Sequence, residues 1–419
     1  MLHKIKPACG FSGSLTIPAS KSHAQRVLAC ALLSREQTLI YGLGNSDDEL
    51  AALGLLEQSI VKPIRKTESL RIPSGDKLRF STNELSFGES GLSSRMFTPI
   101  LANGDQELIL NGKGSLASRP MRLFDEVFPE LGVQFSSVNG TLPFKMKGSM
   151  VPKSIELDGS LSSQFVTGFI YAFAGNEKTL DERIRILNPA SVPYIELSLD
   201  VLREFGVDLE LHNNEVQFNG PYHFNATEIQ IEGDWSSASF LLVGAAIFGS
   251  IKVKGLRKDS KQADILLLQA LADFGAEVGW EGDTLVVSKN VCMPFEFDAT
   301  HCPDLFPPLA VLASYANGVS RLQGVHRLFS KESNRAVTIV EELTKLGAKI
   351  EVVEDTMIVR PRGEQLAVQV SSRHDHRIAM ASAIFALGLS EQTTITDAEA
   401  VSKSFPEFYT YLEELTVKQ

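Results

Sequence analysis

Six segments of the chain share one grammar, and they recur at nearly constant spacing. Each opens with small or polar residues, runs into an apolar helix, turns at Gly or a polar residue, and continues as a β-like run. The segments are PASKSHAQRVLACALL from Pro18, ESGLSSRMFTPILA from Glu89, LSSQFVTGFIYAFA from Leu161, GDWSSASFLLVGAAIFG from Gly233, CPDLFPPLAVLASYANG from Cys302 and HDHRIAMASAIFALG from His374. With Ser20, Ser90, Ser162, Ser236, Asp304 and Asp375 as anchors, the spacings are 70, 72, 74, 68 and 71 residues. Self-similarity along a whole chain marks a fold assembled from copies of one supersecondary unit. Ser and Asp at these anchors suit N-capping, because their oxygens accept the orphan amide protons of a first turn. The residues that follow are nearly all apolar, so these helices are expected to be buried on most sides.

A second helix is expected in each copy, beginning near Asp47, Arg119, Pro193, Lys261, Glu332 and Phe405. Four of these end alike, in PELGVQF, REFGVDL, ADFGAEV and TKLGAKI, where Gly132, Gly206, Gly275 and Gly347 can take the left-handed conformation that stops a helix. The runs after them, such as AEVGWEGDTLVVS and AKIEVVEDTMIVRP, alternate and contain turn pairs, which predicts hairpins. The unit is β-α-β-α-β-β, six times over. The predicted fold class is α/β, with two similar inside-out α/β domains of three units each: residues 20–232, and residues 1–19 with 233–419. A continuous α/β solenoid is the plainer alternative, but its repeats usually run only about 20 to 50 residues.

Composition sets outer limits on function. The 419 residues are 43% hydrophobic and 22% charged, enough for large cores, and the net charge of −11 argues against a nucleic-acid or anionic-membrane partner. No stretch approaches the roughly 18 to 20 apolar residues of a membrane span, and the start, MLHKIKPACGFSG, has no signal-peptide core. Cys9, Cys30, Cys292 and Cys302 have neither CxxC nor Cys/His spacing, which reads as reduced thiols of a cytoplasmic protein. His374 and His376, two apart, do not make a metal site. Walker A, GxGxxG and GxSxG motifs are all missing from the sequence.

Helix N-termini bind phosphate and carboxylate through free amides and partial positive charge. Basic residues cluster at those starts: Lys21 and Arg26, Arg95, Arg119, Lys331 and Arg335, Arg377 and Lys403. Any one of them is more often a solvated charge. Recurrence at equivalent points of a repeat instead predicts a basic cleft in an acidic protein, which would focus an anionic substrate. Ser162, Ser163 and Gln164, with Ser236 and Ser237, add hydroxyl and amide groups, although capping alone accounts for the latter two. Asp304 and Glu332 are the acid/base candidates, since a helix start favours the ionised carboxylate; capping remains the other reading of Asp304.

The strings LTIPASKSHAQR, GESGLSSRM, ASRPMRLFDEVFPELG, LSSQFVTG, SVPYIEL, EGDWSSAS, PDLFPPLAVLA, SKESNR, DHRIAMA and VSKSFPEF occur in the order found in 5-enolpyruvylshikimate-3-phosphate synthases, and the chain resembles that family over nearly its whole length. The resemblance implies transfer of the enolpyruvyl group of phosphoenolpyruvate to the 5-hydroxyl of shikimate 3-phosphate, with release of phosphate. It implies two domains that close on the substrates, no metal or organic cofactor, and a monomer. By position, Lys21, Ser22, Arg26, Ser162, Ser163, Gln164, Ser191 and Tyr194 match residues that hold shikimate 3-phosphate, together with Asp304 and Lys331. Lys21, Gly91, Arg119, Gln164, Arg335, Arg377 and Lys403 match the phosphoenolpyruvate clamp. Asp304 matches the residue that takes the 5-hydroxyl proton and Glu332 the one that protonates the methylene carbon, with Lys21 contacting both substrates.

The sequence departs from the family pattern at Ala19 for Gly, at Glu89-Ser90-Gly91-Leu92 for Asn-Ala-Gly-Thr, and at Asn334 for Asp. Two alternatives stand beside this resemblance. The sister transferase acting on UDP-N-acetylglucosamine normally has a reactive cysteine before the second unit's second helix, and residues 111–119 contain none. A non-catalytic phosphate-ligand binding protein on the same fold would need the clamp but not both Asp304 and Glu332.

Overall fold

The computed structural model describes residues 1–329 and 331–417. It divides into two compact units. One is continuous, Ala19–Glu232; the other joins Met1–Pro18 to the chain from Gly233 onward.

In the continuous unit three four-stranded sheets repeat one connectivity. A first strand runs parallel to a second, the second is antiparallel to a fourth, and the fourth is antiparallel to a third. In the middle sheet these are Glu84–Ser86, Glu107–Asn111, Thr141–Lys147 and Gln134–Val138. The next sheet repeats this with Ile155–Asp158, Arg183–Leu187, Glu215–Gln217 and Leu211–His212. A parallel pair needs a crossover, and the apolar helices Gly91–Leu101 and Ser163–Ala174 supply it. The remaining sheet takes its first strand from the far end of the unit: Thr227–Gln230 lies parallel to Thr38–Tyr41, which pairs in turn with Ser69–Ile72.

The discontinuous unit repeats the scheme. Gly10–Thr16 lies parallel to Gly249–Lys254, and that strand pairs with the hairpin Glu277–Glu281 and Thr284–Ser288. Glu296–Asp298 and Ser320–Gln323 are followed by the hairpin Lys349–Val353 and Thr356–Arg360. In the last sheet Gln369–Ser371 lies parallel to Thr393–Thr396, and Leu2–Ile5 supplies the third strand.

Each unit is built around three helices that are buried on nearly every side. Lys21–Leu33 is buried from His23 to Leu32, Gly91–Leu101 throughout, and Ser163–Ala174 at all but Gln164. Trp235–Phe248, Phe306–Ser314 and His376–Ala386 are buried in the same way. Sheets wrap these helices, and the charged side chains they carry, Lys21, Arg26, Arg95 and Arg377, lie within their first two turns. Gly168 shows how closely they pack: a β-carbon there would lie 2.6 Å from the Arg95 carbonyl oxygen and 3.0 Å from the Met96 Cα.

The helix stops are as the sequence predicts. Gly132, Gly206, Gly275 and Gly347 have φ of +76°, +84°, +90° and +102°. The following amides of Val133, Val207, Ala276 and Ala348 donate back to Phe128, Leu202, Leu271 and Leu343 at 2.9 to 3.0 Å, closing the last turn. Four of the second helices begin later than the sequence suggests, at Leu123, Leu267, Arg335 and Phe408, because a 3₁₀ turn or an irregular segment precedes each. No helix among the described residues is long and apolar enough to cross a membrane.

Candidate active site

In the continuous unit, Ser20, Ser90 and Ser162 cap the three inner helices, accepting from the amides of His23, Ser93 and Gln164. Side chains then tie these starts to one another. Gln25 Oε1 accepts from the hydroxyls of Ser90 and Ser93 at 3.1 and 2.8 Å. Arg95 Nη1 donates to Gln164 Oε1 at 3.0 Å and lies over the Phe165 ring. Arg26, only 1% exposed, donates to Ser198 Oγ at 2.9 Å, the Ser22 carbonyl at 2.8 Å and the Tyr194 carbonyl at 3.1 Å. It therefore braces the start of Lys21–Leu33 against the start of Val192–Glu204. Burial lowers its pKa from the usual arginine value.

Ser191 precedes that second helix with φ +53° and is buried. A left-handed serine is uncommon and strained, and such strain concentrates where a side chain or amide must be aimed. Gly91 has a different reason. A β-carbon there would stand 2.6 Å from Arg119 Nη1, so only glycine lets that guanidinium lie over the start of Gly91–Leu101. Arg119 is also bound to Ser115 Oγ at 3.3 Å. Lys21 Nζ meets Asp48 Oδ2 at 2.9 Å.

The discontinuous unit holds a denser network. Arg335 is 1% exposed and donates to Asp375 Oδ2 at 2.8 Å, Asp304 Oδ1 at 2.7 Å and Glu332 Oε2 at 2.6 Å. Arg377 Nη2 reaches Asp304 Oδ2 at 3.0 Å, and Lys331 Nζ reaches Asp304 Oδ1 at 3.5 Å. Lys403, buried, has its Nζ 4.0 Å from Glu332 Oε1 and makes no hydrogen bond among the described residues. Four cations thus meet three carboxylates, Asp304, Glu332 and Asp375. Asp375 caps the helix His376–Ala386 through the Arg377 amide while it pairs with Arg335.

Removal from water would raise the Asp304 pKa, but Arg377, Lys331 and Arg335 more than offset this and hold it well below the usual carboxylate range. Burial lowers the Lys331 pKa, opposed by Asp304. For Arg335, burial works against the charge, while Asp375, Glu332 and Asp304 together raise its pKa further. The chemistry available is anion binding by Lys331, Arg335, Arg377 and Lys403, with Asp304 and Glu332 available for proton transfer.

Within the continuous unit the structure joins Arg26 to Ser22 and Tyr194, Gly91 to Arg119 and Arg95 to Gln164; within the discontinuous unit it joins Asp304, Lys331, Glu332, Arg335, Arg377 and Lys403. Two capping expectations need correction. Asp234, not Ser236, caps Trp235–Phe248, accepting from the Ser237 amide, and Ser236 lies in the first turn with its hydroxyl bonded to the Asp264 carboxylate. Asp304 caps nothing: it sits in the 3₁₀ turn Pro303–Leu305 and spends its oxygens on Lys331, Arg335 and Arg377. Three partners escaped the sequence reading of the site, namely Asp48 beside Lys21, Asp375 beside Arg335, and Asp264 beside Ser236. Each comes from a segment remote in sequence from its partner.

Helix starts lined with cations, with carboxylates engaged among them in the discontinuous unit, are suited to binding small anions. The sequence matches the family model for EPSP synthase (3-phosphoshikimate 1-carboxyvinyltransferase) over residues 5–412. It is 32% identical to the 3-phosphoshikimate 1-carboxyvinyltransferase of Clostridium acetobutylicum, with 98% of this chain and 96% of that protein covered. Against the enzyme of the same name from Pyrococcus abyssi it is 33% identical, covering 95% and 93%. The structure is similar to the EPSP synthase of Acinetobacter baumannii, with a TM-score of 0.83 and 25% identity over 100% of this chain and 98% of that one. The chain belongs to the EPSP synthase family.

Proposed function

We propose that the chain transfers the enolpyruvyl group of phosphoenolpyruvate to the 5-hydroxyl of shikimate 3-phosphate and releases phosphate. The observation that carries this reading is the pair Asp304 and Glu332, both bonded to Arg335 inside a cluster of four cations. An anion binder needs the cations; the two carboxylates are what proton transfer needs.

In this reading Lys21, Ser22, Arg26, Ser162, Ser163, Gln164, Ser191 and Tyr194 serve shikimate 3-phosphate, with Asp304 and Lys331. Lys21, Gly91, Arg119, Gln164, Arg335, Arg377 and Lys403 serve phosphoenolpyruvate. Gly91 acts through the room it leaves for Arg119, and Arg26 also fixes the Ser22 and Tyr194 backbone.

The reaction then balances. Glu332 gives a proton to the methylene carbon, making an oxocarbenium-like centre, while Asp304 accepts the proton of the attacking 5-hydroxyl as the new C–O bond forms. Return of the methyl proton to Glu332 and departure of phosphate, which carries away the proton held by Asp304, restore the vinyl ether. The cations stabilise charge on the phosphate and carboxylate throughout. Substrate anions also compete for Arg335 and Arg377, which frees Asp304 from the partners that depress its basicity. The exposed and buried free thiols fit a cytoplasmic setting.

Phosphate release measured with each substrate alone and with both tests the reading. Release is expected only with both. Release with UDP-N-acetylglucosamine in place of shikimate 3-phosphate would assign the sister reaction instead, and binding without release would leave an anion-binding protein.

A further inference from the structure

Lys21 opens the buried helix Lys21–Leu33, where the backbone already carries partial positive charge and an ammonium is disfavoured. Asp48 meets it there. Its Oδ2 lies 2.9 Å from Lys21 Nζ, with 5% of the aspartate and 14% of the lysine side chain exposed. Asp48 itself sits in the first turn of Asp47–Gln58.

That turn does not need Asp48 as a cap. Ser46 accepts from the Glu49 amide, and the Glu49 carboxylate takes the amides of Ser46 and Gly44. Asp48 Oδ1 is buried and has no hydrogen-bond partner among the described residues. Leaving a buried carboxylate oxygen unsatisfied is costly, and packing alone would be served better by an apolar side chain of the same size. What the carboxylate does supply is a charged acceptor at the one lysine that the proposed function gives to both substrates.

We propose that Asp48 is a positioning residue for enolpyruvyl transfer, holding the Lys21 ammonium oriented for the substrate anions. The inference rests on Lys21 being a substrate contact. It separates Asp48 from its neighbours Asp47 and Glu49: Glu49 serves the backbone, whereas Asp48 serves a side chain of the site.

A double-mutant cycle tests this. Asp48→Ala is expected to lower kcat/KM for both substrates by roughly 10- to 100-fold. Asp48→Asn, whose amide oxygen still accepts from the ammonium, should recover most of that loss. In a Lys21→Met background, Asp48→Ala should change kcat/KM by less than about threefold, because the interaction is already gone. An equal loss in both backgrounds overturns the proposal and makes Asp48 a structural residue. So does full activity in Asp48→Ala. If Asp48→Ala does not fold, the Asn variant carries the cycle: a loss in Asp48→Asn that persists undiminished in Lys21→Met is likewise contrary. Wild-type activity in Lys21→Met alone would instead remove Lys21 from the substrate site, a failure of the underlying reading that is visible without Asp48.

Discussion

Arg335 grips Asp304: Nη1 stands 2.7 Å from Oδ1, and only 1% of the arginine side chain is exposed. Arg377 and Lys331 approach the same carboxylate. Its depressed pKa has a definite sign. The charged form is favoured in the folded state, so the stability it contributes is present above the unfolded value and lost as pH falls through the lower folded one. Carboxyl carbon NMR should find the Asp304 midpoint below the ordinary aspartate value of about 3.9. A midpoint at or above that value would contradict the geometry. Asp304→Asn should lower kcat by roughly 10²- to 10⁴-fold, as expected for a lost general base.

Glu332 shares Arg335 with Asp304 but has a different task in the proposed reaction. Glu332→Gln keeps an acceptor for the guanidinium and removes the proton donor. Turnover should fall by roughly 10²- to 10⁴-fold, while calorimetric binding of shikimate 3-phosphate stays within a few-fold of wild type. Loss of binding in step with turnover would make Glu332 a structural residue.

Gly91→Ala places a β-carbon where Arg119 Nη1 lies, 2.6 Å away. The guanidinium end is flexible and gives way, so the fold should survive. The clamp should not: KM for phosphoenolpyruvate is expected to rise roughly 10- to 100-fold from misplacement of one charged group. KM for shikimate 3-phosphate should hardly move. Steady-state kinetics with each substrate varied separates the two.

Asp264 is fully buried, bonded to Ser236 and close enough to feel Asp304 and Arg377, and burial first, then Asp304, pushes its pKa up to about 7. The other groups acting on it are Asp234 and Ser236. An acid raised in the folded state contributes stability below its unfolded pKa and loses it as pH rises through the folded value. Here that window runs from the ordinary aspartate value up to about 7. Asp264→Asn should therefore raise Tm more at pH 8 than at pH 5, by the equivalent of a few kcal/mol at most. Equal shifts at both pH values would mean that the Asp264 pKa is not raised in the folded protein.

The repeat was legible because it is written locally. Ser20, Ser90, Ser162 and Asp375 cap where the sequence places them, and four glycines stop helices with positive φ. Around Ser236 two good capping residues stand two apart, and tertiary packing chose Asp234. The pairings Lys21–Asp48, Ser236–Asp264 and Arg335–Asp375 were not legible, since nothing near either partner names the other. Family resemblance identified side chains expected to touch substrate; it was silent on those that hold them.

The strand Gly10–Thr16 pairs with Gly249–Lys254, Ser12 standing opposite Ser250. The intervening Ala19–Glu232 contains every partner of its own three sheets. During synthesis Gly10–Thr16 therefore leaves the ribosome with nothing to pair against, while the inserted unit can complete itself. The outer unit must wait for a segment made more than two hundred residues later. Assembly is thus ordered from the inside of the chain outward, and the late closure of that sheet is the step most exposed to misassembly.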